Sequence, residues 1–380
     1  MGRLTLGMKI YTTDWHTWYG LDYDEACDQL RDLGVRFALT LNTRDPAPLS
    51  GLPSRVAPEY RDRVAAYSDD RLRAALGARG IAYHAGVSMF YDPARWARDP
   101  GIRPVNALGE PMPPNGWYHG LCPSNEAYVQ ERLDAIGRAI RQLDPDGVFL
   151  MMIRFPGHWE RWVAGYARGL ADEACFCPRC LERFQADTGT SIADHEGPGL
   201  AILNEHRPRW TAWKCGLIAD IVRRARAVVE AAKPGIPVML NMVPFRRADF
   251  ADAGREIFAQ DPEQLAPVAD AFEIMTYHQV IKRPPPFITA IATEFAHRTH
   301  RPVYCTVFTR PRYLDGVYQA DGRAPAITAD EVGATLDAVA ASPAAGVLFR
   351  WEDYLQDLRD PSQTTRRTIE RTLGQVLAPS

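Results

Sequence analysis

The chain has 380 residues, 46% apolar and 24% charged, with a formal net charge of −3. That balance excludes a disordered or collagen-like chain, and a pI near 6.3 gives no general attraction to nucleic acid or an anionic membrane. No run of 18 apolar residues is available to span a bilayer, and residues 1–9 lack the apolar core of a signal peptide, so a cytoplasmic protein is expected.

In chain order one pattern repeats: a short apolar run, a polar loop, then a helix of period 3.6. The first strand is expected at 8–13 and the first helix at 23–33, with Ala26, Leu30 and Leu33 on one face and Gly34 as its stop. A strand at 35–41 leads through a proline-rich loop to a helix capped by Ser68, with Leu72, Ala75 and Leu76 inward. The third strand, 81–89, runs into a long segment at about 93–120, rich in Pro, Gly and Trp, which its aromatics mark as ordered. Ser124 then caps a helix striped by Val129, Leu133, Ile136, Ile140 and Leu143. The fourth strand is 147–153; a Cys-rich insertion at about 160–210 and a long helix at 211–232 separate it from the fifth, 237–243. Strands six to eight are expected at 271–277, 302–308 and 346–351. Thr328 and Glu331 form a capping box before the eighth strand, and Ser362 caps a last helix with Ile369 and Leu373 inward.

Eight apolar strands, each followed by a helix or long loop, predict an α/β fold: one (β/α)8 TIM barrel domain over residues 1–380. The competing architecture, an open doubly wound sheet, lacks a Gly-rich phosphate loop after any strand. Barrel chemistry sits at the C-terminal strand ends, so sequence order becomes a spatial list. Strand one ends in Asp14, Trp15 and His16, strand two in Asn42, strand four in Arg154, His158 and Glu160. Strand five supplies Asn241, strand six Tyr277 and His278, and strand eight Arg350, Trp351, Glu352 and Asp353; Trp117 comes from the loop after strand three. Indoles that stack on sugar rings, beside polar groups that read hydroxyls, suit a small-molecule or oligosaccharide ligand. Trp351 is expected to touch it. Glu273, in the middle of strand six, has to be paired to be buried, with Lys9, Arg350 or His84 as partner.

Seven cysteines is an odd count, and Cys175, Cys177 and Cys180 fall within six residues. In a reducing compartment such a cluster points to metal rather than disulfides. Zinc takes four soft ligands in a tetrahedron; Cys122 is the leading fourth, with Cys215 and His158 as alternatives.

The run Cys122-Pro123-Ser124-Asn125-x-x-Tyr128, a helix, a strand, then Cys175-x-Cys177-Pro178-x-Cys180-x-x-x-Phe184 resembles the barrel of glycoside hydrolase family 42 β-galactosidases. It also resembles a looser set of hypothetical glycosyl hydrolases. The resemblance covers about 65 residues. It implies a structural Zn²⁺ held by the three-cysteine turn and one earlier cysteine, which supports Cys122. It also implies an Asn-Glu pair ending strand four and a Glu on strand seven. Here those places read Met151-Met152-Ile153-Arg154 and Tyr304-Cys305-Thr306-Val307-Phe308-Thr309, so that catalytic pair is carried over to no residue.

Three functions follow. The first is a glycosidase with relocated carboxylates: Glu160 or Asp353 as acid, Asp14 as base or nucleophile, and His158 and His278 orienting them. The second is a carbohydrate-binding pseudoenzyme, and the third a sugar lyase or isomerase using His158, His278 or Tyr277. A homo-oligomer is compatible with the sequence.

Overall fold

The computed structural model describes residues 4–41, 55–114, 117–192, 197–309, 327–357 and 364–377. Eight parallel strands close into a barrel in sequence order: β1 (Thr5–Ile10), β2 (Phe37–Leu41), β3 (Ala82–Ser88), β4 (Gly147–Met151), β5 (Val238–Met242), β6 (Ala271–Ile274), β7 (Val303–Thr306) and β8 (Gly346–Arg350). Every residue of β4, β5, β6 and β8 is buried, as follows when one strand face fills the barrel and the other meets helices. β1 begins three residues before its expected start and closes the barrel on β8, placing Lys9 opposite Arg350.

Helices form where caps and apolar stripes coincide. Asp22 caps Tyr23–Asp32 and Ser68 caps Asp69–Gly77, each accepting a backbone N–H three residues on. The helix Glu126–Leu143 is capped by Asn125, not Ser124; the Ser124 hydroxyl faces the thiols of Cys122 and Cys180 at 3.0 Å instead. Thr328 caps Ala329–Ala340 as expected, while Ser362 lies outside the described residues. Residues 93–120 carry a helix, Pro93–Arg98, and bridges from Val105 to Pro111 and Tyr91 to Gly120. A further bridge, Asn106 to Ala174, fastens this segment to the insertion after β4. Among the described residues no helix is long and apolar enough to cross a membrane.

The barrel interior holds a fully buried ion pair. Lys9 Nζ reaches across from β1 to Glu273 Oε1 on β6 at 2.6 Å, and Asn241, beside Glu273 in the β5–β6 register, donates to Oε2 at 2.6 Å. Thr306 donates the third bond. Of the three partners the sequence suggested for Glu273, Lys9 is the one observed. Removing one member of a buried pair strands the other, so Lys9→Met should cost about 3–5 kcal/mol. The double change Lys9→Met/Glu273→Gln should recover much of that in urea unfolding; an unchanged midpoint for the single variant would contradict the pairing.

Candidate active site and metal centre

Above this pair the strand ends open into a cavity of about 540 Å³, counting its mouth, lined by Lys9, Tyr11, Asn241, Tyr277 and Arg350 from the barrel and Trp117 and Glu160 from the loops. Met151, Met152 and Met275 complete the wall. Met151 fits because β3 has Gly86 beside it: a Cβ there would meet the Met151 methyl at 2.8 Å and the Thr40 carbonyl at 2.5 Å. Met152 holds φ at 53°, a left-handed conformation that a non-glycine residue adopts at a cost of roughly 1–2 kcal/mol. Such local strain is common where a chain must turn sharply at a ligand site.

After that turn the β4 loop is tightly held. Phe155 N–H donates to the Phe258 carbonyl at 2.9 Å, and the Gln260 amide donates to the carbonyls of Ile153 and Asn241. The 3₁₀ turn Trp159–Arg161 then divides its side chains. Trp159 is 1% exposed and stacks on Tyr277, which stacks on Phe308, while Glu160 turns to the cavity. The Arg154 guanidinium is buried, donating to the Gly157 carbonyl at 3.2 Å and lying 5.1 Å from the Tyr118 ring centre. His158 stacks parallel to Tyr118, with Nε2 3.3 Å from Glu160 Oε2.

This environment sets the protonation states. Burial pushes the Glu160 carboxyl up to about 7, against the opposing pull of Arg154. Burial, reinforced by Arg161 and Arg154, brings His158 down to about 4. Near neutrality the site therefore offers a carboxyl poised between its protonated and ionised forms beside a neutral imidazole. Burial also lowers the Lys9 ammonium, with Glu273 opposing.

A raised carboxyl pKa has a stability consequence. The folded chain prefers protonated Glu160, so there is no penalty below about pH 4.5, a growing one between 4.5 and about 7, and the full one above. At ~1.4 kcal/mol per tenfold proton affinity the ceiling is ~3 kcal/mol. Glu160→Gln should accordingly raise the melting temperature at pH 8 and leave it nearly unchanged at pH 4.5. A drop at pH 8 would contradict the burial argument.

The structure brings Glu160, Trp117, Asn241, Tyr277 and Arg350 together at the cavity, with His158 and Arg154 directly behind. It does not bring the others there. Asp14 is tied to Arg55, accepting from its backbone N–H at 2.7 Å and from Nε at 3.3 Å. Trp15 and Trp351, each 1% exposed, stack on one another at 5.5 Å among the helices, so neither lines the cavity as expected for a ligand-stacking ring. His16 Nδ1 is bonded to the Leu21 carbonyl. The His278 ring is bonded on one side to the Arg283 carbonyl and on the other to the Thr335 hydroxyl, a structural placement. Glu352 accepts from the N–H groups of Tyr11 and Thr12, joining the ends of β8 and β1; Asp353 is buried and lines no described cavity. Asn42 lies outside the described residues. Lys9, Tyr11 and Met275 were not expected at the site; a lysine inside an otherwise apolar strand was the available signal for the first.

The four cysteines Cys122, Cys175, Cys177 and Cys180 are buried with sulfurs all within 4.8 Å of one another. Cys122 Sγ lies 3.4 Å from Cys180 Sγ and 3.6 Å from Cys177 Sγ; a zinc tetrathiolate with ~2.3 Å bonds has edges of ~3.8 Å. Val105 N–H also points at Cys175 Sγ, at 3.4 Å. This set could hold a metal ion, and Cys122 is the cysteine that completes it: Cys215 lies against the Arg255 carbonyl and His158 against Glu160. All seven cysteines are free thiols.

No protein-family model matches the sequence, and no curated protein matches it. Solved structures do. The glycoside hydrolase domain of PgaB (BpsB) from Bordetella bronchiseptica aligns over 97% of this chain and 99% of its own, at 13% identity and TM-score 0.63. A β-galactosidase from Halorubrum lacusprofundi aligns over 99% of this chain and 58% of its own, at 13% identity and TM-score 0.64. The GH42 β-galactosidase Gan42B from G. stearothermophilus aligns over 98% of this chain and 56% of its own, at 12% identity and TM-score 0.61. The barrel is what they share. This chain thus has the fold of glycoside hydrolases and spans rather more than half the length of the two β-galactosidases.

Proposed function

We propose that this chain is a glycoside hydrolase acting on a carbohydrate or glycoside at the barrel mouth, with Glu160 as the proton donor. The observation that carries this reading is a buried carboxyl held up to about 7 at the wall of a cavity that also offers Trp117, Tyr277, Asn241 and Arg350. Leaving-group protonation needs such a carboxyl, and sugars are bound by rings beside hydrogen-bonding groups. The glycoside hydrolase barrels aligned above support the substrate class by analogy of fold.

Hydrolysis also needs a second carboxylate. Glu273, bonded to the cavity residues Lys9 and Asn241, is the candidate taken here in place of Asp14 and Asp353. Glu160 is the one carboxylate that lines the central cavity among the described residues, and this favours a second reading, sugar binding without turnover. Incubating the protein with a broad glycan panel and examining products by mass spectrometry separates the two: cleavage supports hydrolysis, calorimetric binding without products supports the second.

The four cysteines we assign to a structural Zn²⁺. With four thiolates bound the ion has no open position, so its contribution is to fasten the β4 insertion to the start of the Glu126–Leu143 helix. Seven cysteines without a disulfide among them fit a reducing compartment, the cytoplasm.

A further inference from the structure

The long helix Arg207–Ala232 packs an apolar face on the insertion after β4: Trp210 and Trp213 stack on one another and meet Phe176 and Phe184. One residue breaks that face. Lys214 is 0% exposed, and its Nζ donates to the Ala174 carbonyl at 3.0 Å and to the Glu256 carbonyl. Ala174 is the residue before Cys175, so the ammonium lies one peptide from a ligand of the metal centre.

A buried charge is costly unless an opposite charge stands near it. The carboxylates close by are already shared out. Glu173 and Glu256 each pair with both Arg168 and Arg207, two anions against two cations. Among the described residues no carboxylate forms an ion pair with Lys214. The groups whose negative charge acts on it are Glu173, then the thiols of Cys215 and Cys180. Lys214 is thus a cation left over in the interior beside four sulfurs.

We propose that Lys214 is the counter-cation of the zinc centre, a positioning residue whose buried ammonium stabilises the ionised thiolate set and so raises metal affinity. This rests on the assignment of the four cysteines to Zn²⁺. Four thiolates around a divalent ion leave two negative charges in excess, and a dry interior makes that excess expensive unless a fixed cation faces it. The two problems, a spare buried cation and a doubly negative centre, solve each other. The same ammonium ties the centre to the catalytic loop: the segment after Glu256 supplies the Phe258 carbonyl to Phe155 N–H and the Gln260 amide to the Ile153 carbonyl.

The test measures zinc affinity on the full chain by competition with a chromophoric chelator, for the wild type, Lys214→Gln, Lys214→Met and Lys214→Arg. Glutamine keeps N–H donors but loses the charge, and arginine keeps the charge. Substituting Co²⁺ reads the coordination through its thiolate charge-transfer bands. Both uncharged variants should bind zinc about 10–100-fold more weakly, the usual effect of an outer partner of a metal site, with the tetrathiolate cobalt spectrum retained. Lys214→Arg should bind more tightly than Lys214→Gln. A lysine that only fills space and satisfies carbonyls would not separate that pair. Should Lys214→Met fail to fold, the glutamine and arginine variants carry the same comparison. Wild-type affinity in Lys214→Gln overturns the role and leaves the zinc assignment standing. A wild type that binds no zinc brings down both.

Discussion

Purified protein should carry about one zinc per chain, and Cys180→Ser should abolish it and destabilise the fold by about 2–5 kcal/mol, the range for losing a native cross-link. The reason lies in the thiols themselves. Four buried sulfurs within 4.8 Å are a poor arrangement without a cation: burial and the neighbouring thiols push Cys175 and Cys180 well above the usual thiol range, while hydrogen bonds from the same neighbours hold Cys177 well below it. A divalent ion removes the conflict by deprotonating the set. The stretch it closes runs from Cys122 through β4 to Cys180, and so includes the loop that presents Glu160. Elemental analysis and thermal melting before and after chelation check this. A zinc-free preparation melting at the same temperature would show that the cysteines are ordinary buried residues.

The second large effect is kinetic. Glu160→Gln should lower kcat on a cleaved glycoside by about 10²–10⁴, the usual contribution of a positioned acid, with little loss of binding because the amide keeps the shape of the carboxyl. The pH profile gives the sign. The free enzyme's acid must be protonated, so wild-type kcat/KM should fall as pH rises through about 7, the value to which burial pushes Glu160. That descending limb should be missing from the residual activity of the variant. A limb of the same midpoint in both proteins would assign the acid to another group.

How far the sequence revealed this molecule depended on how local each signal was. The barrel was legible because its strands are largely apolar on both faces and separated by helices. The cysteine set was legible because three cysteines fall in six residues, where spacing alone constrains geometry. Ser124 was mistaken for a helix cap because Ser and Asn at adjacent positions are equally good caps; the thiols facing Ser124 are invisible in one dimension. The site was half legible. Ordering residues by strand end gathers the right loops, but at a strand end successive side chains point alternately into the mouth and out to the helices. Arg350 points in and Trp351 out, where it meets Trp15. Asp14 was lost for a different reason, since its partner Arg55 is 41 residues away and no pattern announces the pair. Lys9 and Glu273 show the converse: each is a charge in an apolar strand, and the cost of burying either alone required them to find partners.

In the proposed reaction Glu160 protonates a leaving group and water completes the cleavage. The most direct test is to run the glycan panel in ¹⁸O-enriched water with the wild type and Glu160→Gln. Hydrolysis predicts a new reducing end carrying one ¹⁸O from solvent, formed by the wild type and at least about 10²-fold more slowly by the variant. An unlabelled product with an unsaturated or rearranged ring, or equal labelled product from both proteins, would contradict it.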